Sequence, residues 1–349
     1  MQALQKTEAA AGLHITEASR PEPGVGEVLV RVHSTGVCGT DLHIDAWTAS
    51  YHFLADALPV TVGHEFSGQI VAQGQGADGL PVGQWVVVRP SVTCGCCAHC
   101  QTGDFDACTT RQGIGVLRDG GFADYVRVPL RNCVPIPHGV DPEVAALAEP
   151  LSVSYEAVRT GGVQPGDRVL VLGPGNIGQG IALFARAAGA ARVVVAGHGD
   201  GARLDVLRAM GFDELLDLAG QDMEQALATA APGAAFDVVI EATGAGAVLA
   251  PALRALKPHG VLVIAGIHAA PVPIDLTALV RRHQQLRGSY RAPERCWPEV
   301  LAFMQTHQEQ LRRMITHRVP LARAADGFAL ARARQASKVL VQPSRQVQP

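Results

Sequence analysis

A cluster of cysteines carries the strongest chemical signal in this 349-residue sequence, because five of its eight cysteines lie between Cys94 and Cys108. Disulfides would be spread more widely over a fold, so a tight cluster indicates a metal site. Cys96 and His99 are alternative ligands, and an iron–sulfur cluster is a rival interpretation for which the sequence offers no electron-transfer partner. The spacing C-x2-C-x2-C-x7-C would close tetrahedral Zn²⁺ completely, which predicts a structural zinc site at Cys94, Cys97, Cys100 and Cys108.

A second set of metal-binding residue types is spread along the sequence. Cys38, His64, Glu65 and the later Glu149 offer a soft thiolate, an imidazole and two carboxylates. A lone cysteine or histidine would more often be core packing. As a set, these residues suit a catalytic Zn²⁺ that keeps one position open for water or substrate.

A glycine-rich segment predicts dinucleotide binding. It fits G-x-G-x-x-G and lies between a predicted strand, Arg168–Leu172, and a predicted helix, Ile177–Ala188. In this context the first glycine makes a tight turn, the second lets the backbone approach a pyrophosphate, and the third allows close packing of helix and strand. The predicted cofactor-binding residues of this segment are Gly173, Gly175, Asn176, Ile177 and Gly178.

The end of the next predicted strand bears on the choice between NAD and NADP. An acidic residue that binds the adenosine ribose of NAD is expected there, but Gly197 occupies its place. His198 and Arg203 could bind the 2′-phosphate of NADP, whereas Asp200 could still reach a ribose hydroxyl. Both cofactors therefore remain open.

The elements that must position these residues fall into two patterns. The first 150 residues contain short apolar segments separated by glycine and proline, which is typical of an irregular, mostly β domain. Later, wholly apolar segments alternate with helical ones, which predicts a doubly wound parallel sheet. A helix at Trp297–Leu311 and a strand at Val339–Val341 are predicted to return to the first domain. The apolar strands of the second pattern are Arg168–Leu172, Arg192–Ala196, Phe236–Ile240 and Val261–Ala265.

The composition excludes several classes of protein. Hydrophobic residues make up 48% and charged residues 17%, which is an ordinary globular balance. A formal net charge of −3 gives no electrostatic reason to expect a nucleic-acid or membrane partner. We find no secretory signal and no apolar segment long enough to span a membrane, so we expect a cytoplasmic protein with a small-molecule substrate.

Together these motifs resemble the zinc-containing medium-chain dehydrogenases, in the branch that holds sorbitol (polyol) dehydrogenases and threonine 3-dehydrogenases. The matching segments are Cys38-Gly39-Thr40-Asp41-x-His43, Gly63-His64-Glu65-x2-Gly68, the four-cysteine lobe, Glu149-Pro150-Leu151-Ser152 and Gly173-x-Gly175-x2-Gly178. The resemblance covers nearly the whole chain. It implies a GroES-like β-barrel catalytic domain (1–150 and 290–349, with a structural-zinc lobe at about 90–110) and a Rossmann domain (151–289).

The resemblance also implies roles for individual residues. Cys38, His64 and Glu65 would be ligands of the catalytic zinc, and Glu149 would bind this zinc directly or through water. Thr40 and His43 would form the relay that removes the alcohol proton. Asp41 would orient the metal-bound histidine. The expected cofactors are two zinc ions per chain and NAD or NADP. The expected assembly is a homo-oligomer, with a tetramer favoured over a dimer.

The expected reaction is hydride transfer between a secondary alcohol, such as a polyol or diol, and NAD(P). Ser91 stands where threonine dehydrogenases often carry histidine, which disfavours L-threonine as the substrate, while Arg291 lies near a pocket arginine of sorbitol dehydrogenases. Trp47, Tyr51 and Phe53 favour a substrate with apolar surface. A non-catalytic dinucleotide-binding relative and a thiol-based metal buffer or redox sensor are the alternatives from other classes.

Overall fold

A computed structural model describes residues 1–231 and 235–343 of the chain. The chain divides into two compact units, Met1–Glu149 with Trp297–Pro349, and Pro150–Cys296. Residues 344–349, the end of the predicted catalytic domain, lie outside the described residues. The second unit extends past the predicted boundary at 289, because Arg295 and Cys296 both contact Glu156 of that unit, at 3.0 and 3.2 Å.

The regular elements follow the chain in this order. The first unit contains β1 (Gln2–Lys6), β2 (His14–Glu17), β3 (Glu27–Gly36), α1 (Gly39–Asp45), β4 (Val60–Thr61), β5 (Glu65–Gln73), β6 (Trp85–Val88), β7 (Ser91–Val92), α2 (Ala98–Gln101), β8 (Gln112–Gly113), β9 (Tyr125–Pro129), β10 (Cys133–Pro135) and α3 (Pro142–Ala145). The boundary falls in α4 (Ala148–Gly161).

The remaining elements form the second unit and the return to the first. They are β11 (Arg168–Leu172), α5 (Asn176–Ala187), β12 (Arg192–Gly197), α6 (Gly201–Ala209), β13 (Leu215–Asp217), α7 (Met223–Ala230), β14 (Phe236–Glu241), α8 (Leu249–Ala255), β15 (Leu256–Ile264), α9 (Leu276–Arg281), β16 (Gln285–Gly288), α10 (Cys296–Met314), β17 (Ile315–Pro320), α11 (Ala324–Arg332) and β18 (Lys338–Gln342).

The main sheet of the first unit combines strands from both ends of the chain. Its order is β10-β6-β5-β3-β18-β17, with β9 also paired to β3. β18 lies antiparallel to β3, with Leu340 opposite Gly36, so the C-terminal strand is built into the sheet beside the segment that leads to Cys38. Because the C-terminal segment returns to this sheet, β18 lies beside the predicted zinc ligand Cys38.

The second unit is built on a parallel sheet of six strands in the order β13-β12-β11-β14-β15-β16. Its central strand, β11, is buried from Val169 to Leu172, as expected for a parallel strand covered by helices on both faces. The strand order reverses between β11 and β14, which makes a crevice at the carboxyl ends of these strands. The prediction of a doubly wound parallel sheet is confirmed. None of the described helices has the length and apolar character that a membrane span requires.

Candidate active site and metal centres

Cys38 is positioned by the turn between β3 and α1. It is the N-cap of α1, and its backbone N–H donates to Oδ2 of Asp41 at 2.9 Å. An acidic residue at this position of the first turn satisfies a backbone donor that the helix itself leaves free. Asp41 is completely buried, so this contact fixes both the start of the helix and the direction of the Cys38 side chain.

His64, at the end of the β4–β5 connection, and Glu65, the first residue of β5, lie close to Cys38. Gly63, which precedes them, has φ +96°, and a Cβ there would lie 2.6 Å from the Phe122 ring, so the turn requires glycine. Both His64 and Glu65 are buried. The ligand atoms of Cys38, His64 and Glu65 all lie within 4.8 Å of one another. The structure thus brings together three of the four residues predicted to bind the catalytic zinc.

The electrostatics of this cluster favour a bound cation. Burial raises the pKa of the Cys38 thiol, and the charge of Glu65 raises it further. Burial lowers the pKa of His64, but the charges of Cys38 and Asp41 outweigh this effect and hold it well above its usual value. Nδ1 of His64 is buried without a hydrogen-bond partner among the described residues. A thiol, an imidazole and a carboxylate held this close together fit Zn²⁺, whose binding displaces the protons of the thiol and imidazole.

Asp41 lies behind His64, as the resemblance implies. Its Oδ1 is 3.8 Å from Nδ1 of His64, and this oxygen has no hydrogen-bond partner among the described residues. Burial raises the pKa of Asp41 to about 6, against the opposing charge of His64. A carboxylate beside one ring nitrogen leaves the other nitrogen available as a metal ligand.

Lys338 belongs to this site, although no sequence motif predicts it. Its Nζ donates to Oε2 of Glu65 at 2.5 Å and to the Val37 carbonyl at 2.9 Å. Burial lowers the pKa of Lys338, but the charges of Glu65 and Cys38 outweigh this effect and raise it overall. Lys338 starts β18, far from Cys38 in sequence, and only the strand order brings it here. A buried lysine in a short apolar strand was the available signal.

Glu149 lies near this cluster without joining its closest group. It is in the first turn of α4, and its side chain is not among the three whose ligand atoms lie together. Burial raises the pKa of Glu149 to about 7, while the charge of His64 opposes this shift. The structure therefore places this carboxylate within electrostatic reach of His64 and leaves its role as a ligand a proposal.

Thr40 and His43 lie on α1 and are linked by a third side chain. Tyr51, on the 3₁₀ helix Ala49–Ala57, donates its hydroxyl to Oγ1 of Thr40 at 3.3 Å. The same ring stacks on His43, with centroids 6.0 Å apart and planes 13° apart. The His43 side chain is exposed. Tyr51, which is predicted to favour a substrate with apolar surface, thus also contacts both residues of the predicted relay.

The four predicted structural-zinc ligands form a second cluster. Cys94, Cys97, Cys100 and Cys108 have their sulfur atoms within 4.8 Å of one another. The exposed Cys96 and the exposed His99, whose Nδ1 lies 3.6 Å from Asp104, are not part of this group.

Hydrogen bonds favour the thiolate form of Cys94 in this second cluster, whereas burial disfavours the thiolate of Cys100. A bond from Thr110, followed by bonds from the Cys96 and Cys97 backbone, lowers the pKa of Cys94 to about 5. Burial raises the pKa of Cys100 to about 12. Four thiols at this separation fit tetrahedral Zn²⁺ with no open position.

The glycine-rich segment connects β11 to α5, as predicted. Gly173 has φ +105°, and a Cβ there would lie 2.9 Å from Thr243. A Cβ at Gly178 would lie 1.8 Å from the Gly173 carbonyl oxygen, so the helix can approach the strand only without a side chain. Gly175 caps α5, which leaves the backbone N–H groups of Asn176 and Ile177 at the helix N-terminus, the kind of position that can bind a pyrophosphate.

The carboxylate of Asp200, after β12, is already engaged by its own loop. Its Oδ2 accepts the backbone N–H of His198 at 3.1 Å, and its Oδ1 lies 3.4 Å from Nη1 of Arg203. Asp200 is buried, whereas His198 is exposed. A Cβ at Gly197 would lie 2.7 Å from Pro174, so an acidic residue would not fit at this position without a shift of the glycine-rich segment.

Arg291 belongs to the second unit and is exposed. Its guanidinium lies 4.4 Å from the centroid of the Tyr290 ring, and Nη2 donates to the Tyr290 hydroxyl at 3.1 Å. The first unit, with Cys38 and His64, does not include it. A substrate-binding role for Arg291 therefore remains a prediction.

Comparison with known proteins identifies the family. Residues 24–138 match the alcohol dehydrogenase GroES-like domain, and residues 176–306 match the zinc-binding dehydrogenase domain. The chain is 34% identical over 342 residues to an L-threonine 3-dehydrogenase of Saccharopolyspora erythraea, covering 98% of each chain. It is 31% identical over 346 residues to a sorbitol dehydrogenase of Halalkalibacterium halodurans, covering 98% of this chain and 99% of the other.

A solved structure has the same architecture. A Sinorhizobium meliloti 1021 protein, described as a zinc-binding dehydrogenase and bound to NADP, superposes with a TM-score of 0.86 at 30% identity. The match covers 98% of this chain and 99% of that one. Fold and site together define an oxidoreductase that combines zinc with NAD(P).

The chain belongs to the zinc-dependent medium-chain alcohol dehydrogenase family. The predicted fold class, a GroES-like domain with a Rossmann sheet, and the predicted enzyme class are confirmed.

Proposed function

We propose that this enzyme oxidises a secondary alcohol of a diol or polyol to a ketone, with NADP⁺ as the preferred acceptor. The observation that carries the proposal is the group of Cys38, His64 and Glu65, whose ligand atoms lie within 4.8 Å of one another and in which His64 and Glu65 are buried. The sorbitol dehydrogenase relative acts, by its name, on a polyol. The test is a substrate panel of polyols, vicinal diols, simple secondary alcohols and L-threonine, run with both cofactors. Turnover confined to primary alcohols would overturn the proposal.

In this proposal Cys38 and His64, with Glu65 or Glu149, hold the catalytic zinc. A zinc ion there would supply Lewis-acid chemistry that lowers the pKa of the substrate hydroxyl. Thr40 would accept the hydroxyl proton on the lone pair of Oγ1 that Tyr51 does not use, and would release its own hydroxyl hydrogen in the same step. His43, exposed on the same helix, releases the proton to solvent.

Two observations support NADP⁺. The Asp200 carboxylate is buried against His198 and Arg203, so it does not repel a 2′-phosphate from the surface of the loop. Gly197 leaves the strand end without the acid that binds the ribose of NAD. The exposed His198 supplies a hydrogen-bond donor at that place. The similar Sinorhizobium meliloti structure binds NADP.

L-Threonine is the second candidate substrate. The Saccharopolyspora erythraea relative named for that activity covers 98% of the chain at 34% identity. The two candidates differ in charge, since threonine carries an ammonium and a carboxylate that the pocket must neutralise. A ratio of kcat/KM above ten for L-threonine over every diol in the panel would establish this alternative.

We further propose that the enzyme is a homo-oligomer, with a tetramer expected, located in the cytoplasm. β16 is an edge strand of the six-stranded sheet, and an unpaired edge is a ready site for a second copy. Four large apolar side chains within or near β16 in the sequence are exposed, namely Leu276, Val280, Leu286 and Tyr290. Light scattering on the purified enzyme tests the assembly, and a monomer at micromolar concentration would contradict it.

A further inference from the structure

Glu241 is a buried carboxylate at the end of β14 that neither zinc cluster uses. Its side chain is completely buried. Oε1 accepts the backbone N–H groups of Thr243 at 2.5 Å and Gly244 at 2.7 Å, and the Thr243 hydroxyl at 2.5 Å. These bonds give Oε1 a structural role, because they hold the loop that follows the strand. Oε2 makes no hydrogen bond to any described residue.

His268 faces this second oxygen. The residue follows β15, and its Nε2 lies 3.3 Å from Oε2 of Glu241. The side chain is 15% exposed, and both ring nitrogens are buried without a hydrogen bond to the described part of the chain. A buried carboxylate paired with an imidazole whose other nitrogen lacks a partner is costly for a purely structural contact. The arrangement therefore points to a ligand that completes the hydrogen bonding of His268.

The loops around this pair are packed against the glycine-rich segment. A Cβ at Gly173 would lie 3.1 Å from the Ala242 carbonyl oxygen, so the loop after β14 touches the first glycine of the fingerprint. A Cβ at Gly266 would lie 2.2 Å from the Gly244 backbone nitrogen and 2.6 Å from Oε2 of Glu241. The pair thus lies at the carboxyl ends of β14 and β15, next to the predicted pyrophosphate site.

The strand order assigns this place to one half of the dinucleotide. In an open parallel sheet the ligand lies across the point where the strand order reverses, here between β11 and β14. The adenosine ribose is bound at the end of the second strand, β12, which lies on one side of β11. The pyrophosphate crosses at the glycine-rich segment, so the nicotinamide half must extend over β14 and β15, on the other side.

We propose that His268 binds the nicotinamide riboside half of the cofactor through Nδ1, and that Glu241 is a positioning residue that orients its ring. This inference rests on the proposed dinucleotide binding. It predicts that loss of the imidazole weakens binding of the complete dinucleotide and leaves binding of the adenosine half alone unaffected. His268→Ala should weaken NADPH binding about tenfold, the effect of one lost hydrogen bond.

The test is calorimetric titration of the complete enzyme with NADPH, NADH and ADP, which carries only the adenosine half. His268→Ala should lose affinity for the two dinucleotides and keep the wild-type affinity for ADP. His268→Asn, which can place an amide near the Nδ1 position, should recover part of the loss. His259→Ala is the matched control, because this exposed histidine lies on β15 away from its carboxyl end.

A double-mutant cycle tests the role of Glu241. Glu241→Gln keeps an acceptor for Thr243 and Gly244 but removes the charge beside His268. It should weaken NADPH binding in the wild type and have no further effect in the His268→Ala background. Unchanged NADPH binding by His268→Ala, or an equal loss of ADP binding, would overturn the inference. Failure of the wild type to bind either dinucleotide would instead overturn the proposed function.

Discussion

Nζ of Lys338 lies 2.5 Å from Oε2 of Glu65, and the side chains of both residues are at most 3% exposed. The lysine starts β18, the last strand among the described residues, and the glutamate is the residue after His64. This contact places a cation inside the first metal cluster, so one oxygen of Glu65 is neutralised without a metal. Lys338 thereby sets how much of the Glu65 charge remains for a zinc ion.

Removal of the Lys338 charge should destabilise the first unit. Lys338→Met leaves the buried Glu65 carboxylate without its partner, which costs about 3–5 kcal/mol of unfolding free energy. Lys338→Arg keeps a cation and should lose less. Lys257→Met is the control, because Lys257 pairs with Asp237 while 47% exposed, and should change stability by less than about 1 kcal/mol. Urea unfolding of the three variants measures the difference, and equal effects at Lys338 and Lys257 would contradict the assignment.

Much of the fold was predictable because its signals are local. An apolar run or a glycine spacing is a pattern of residues that are close together in the sequence. The run Arg168–Leu172, for example, forms β11 with the predicted bounds. The cysteine spacing predicted the lobe for the same reason. Lys338 was missed because its role depends on β18 pairing with β3, a contact between distant parts of the chain. Tyr51 lies outside the motif on a 3₁₀ helix, and its bond to Thr40 has no periodic signal in the sequence.

The two zinc clusters should differ in how readily they lose metal. We expect two zinc ions per chain, of which the Cys38 site is lost first to a chelator, because the four-thiolate site has no open position for a competing ligand. Zinc content and activity, measured together during EDTA treatment, test this order of metal loss. Full activity in a zinc-free enzyme would contradict the proposed catalytic site.

Individual cysteines separate the two clusters. Cys100→Ser should remove one zinc per chain and lower the melting temperature, because a structural zinc contributes folding energy. Cys96→Ser is the matched control, since this exposed thiol in the same lobe is outside the group of four, and should keep both zinc ions. Cys38→Ala should abolish turnover while NADPH binding is retained. Normal turnover by Cys38→Ala would exclude it as a zinc ligand required for catalysis.

Tyr51 should affect proton transfer through Thr40. Tyr51→Phe removes the donor to Oγ1 of Thr40 and keeps the ring that stacks on His43. We expect kcat to fall about three- to tenfold with an unchanged KM for the cofactor, whereas Thr40→Ala, which removes the proton acceptor, should lower kcat by 10²-fold or more, as an order of magnitude. Phe53→Leu is the control, because this 56% exposed ring lies beside Tyr51. Equal losses in Tyr51→Phe and Phe53→Leu would show that Tyr51 only packs the loop.

The choice of cofactor can be tested at the surface of the β12 loop. Gly197→Asp is a poor probe, because its Cβ would lie 2.7 Å from Pro174 and the variant would displace the glycine-rich segment. His198 is exposed, so His198→Asp introduces a carboxylate at the neighbouring position without that clash. A like charge facing the 2′-phosphate should lower the ratio of kcat/KM for NADP⁺ over NAD⁺ by about a hundredfold.

Two further variants identify which group sets that ratio. His198→Ala removes a donor without adding charge, so its ratio should fall by less than in His198→Asp. Asp200→Asn weakens the contact with Arg203 but leaves an oxygen for the His198 backbone, and the ratio should stay constant or rise because Arg203 is released towards the phosphate. If Asp200 instead binds the ribose hydroxyls of NAD, the wild type will prefer NAD⁺ strongly and Asp200→Asn will erode that preference. Kinetics with both cofactors on all three variants decide between a buried Asp200 that anchors its own loop and one that binds the coenzyme.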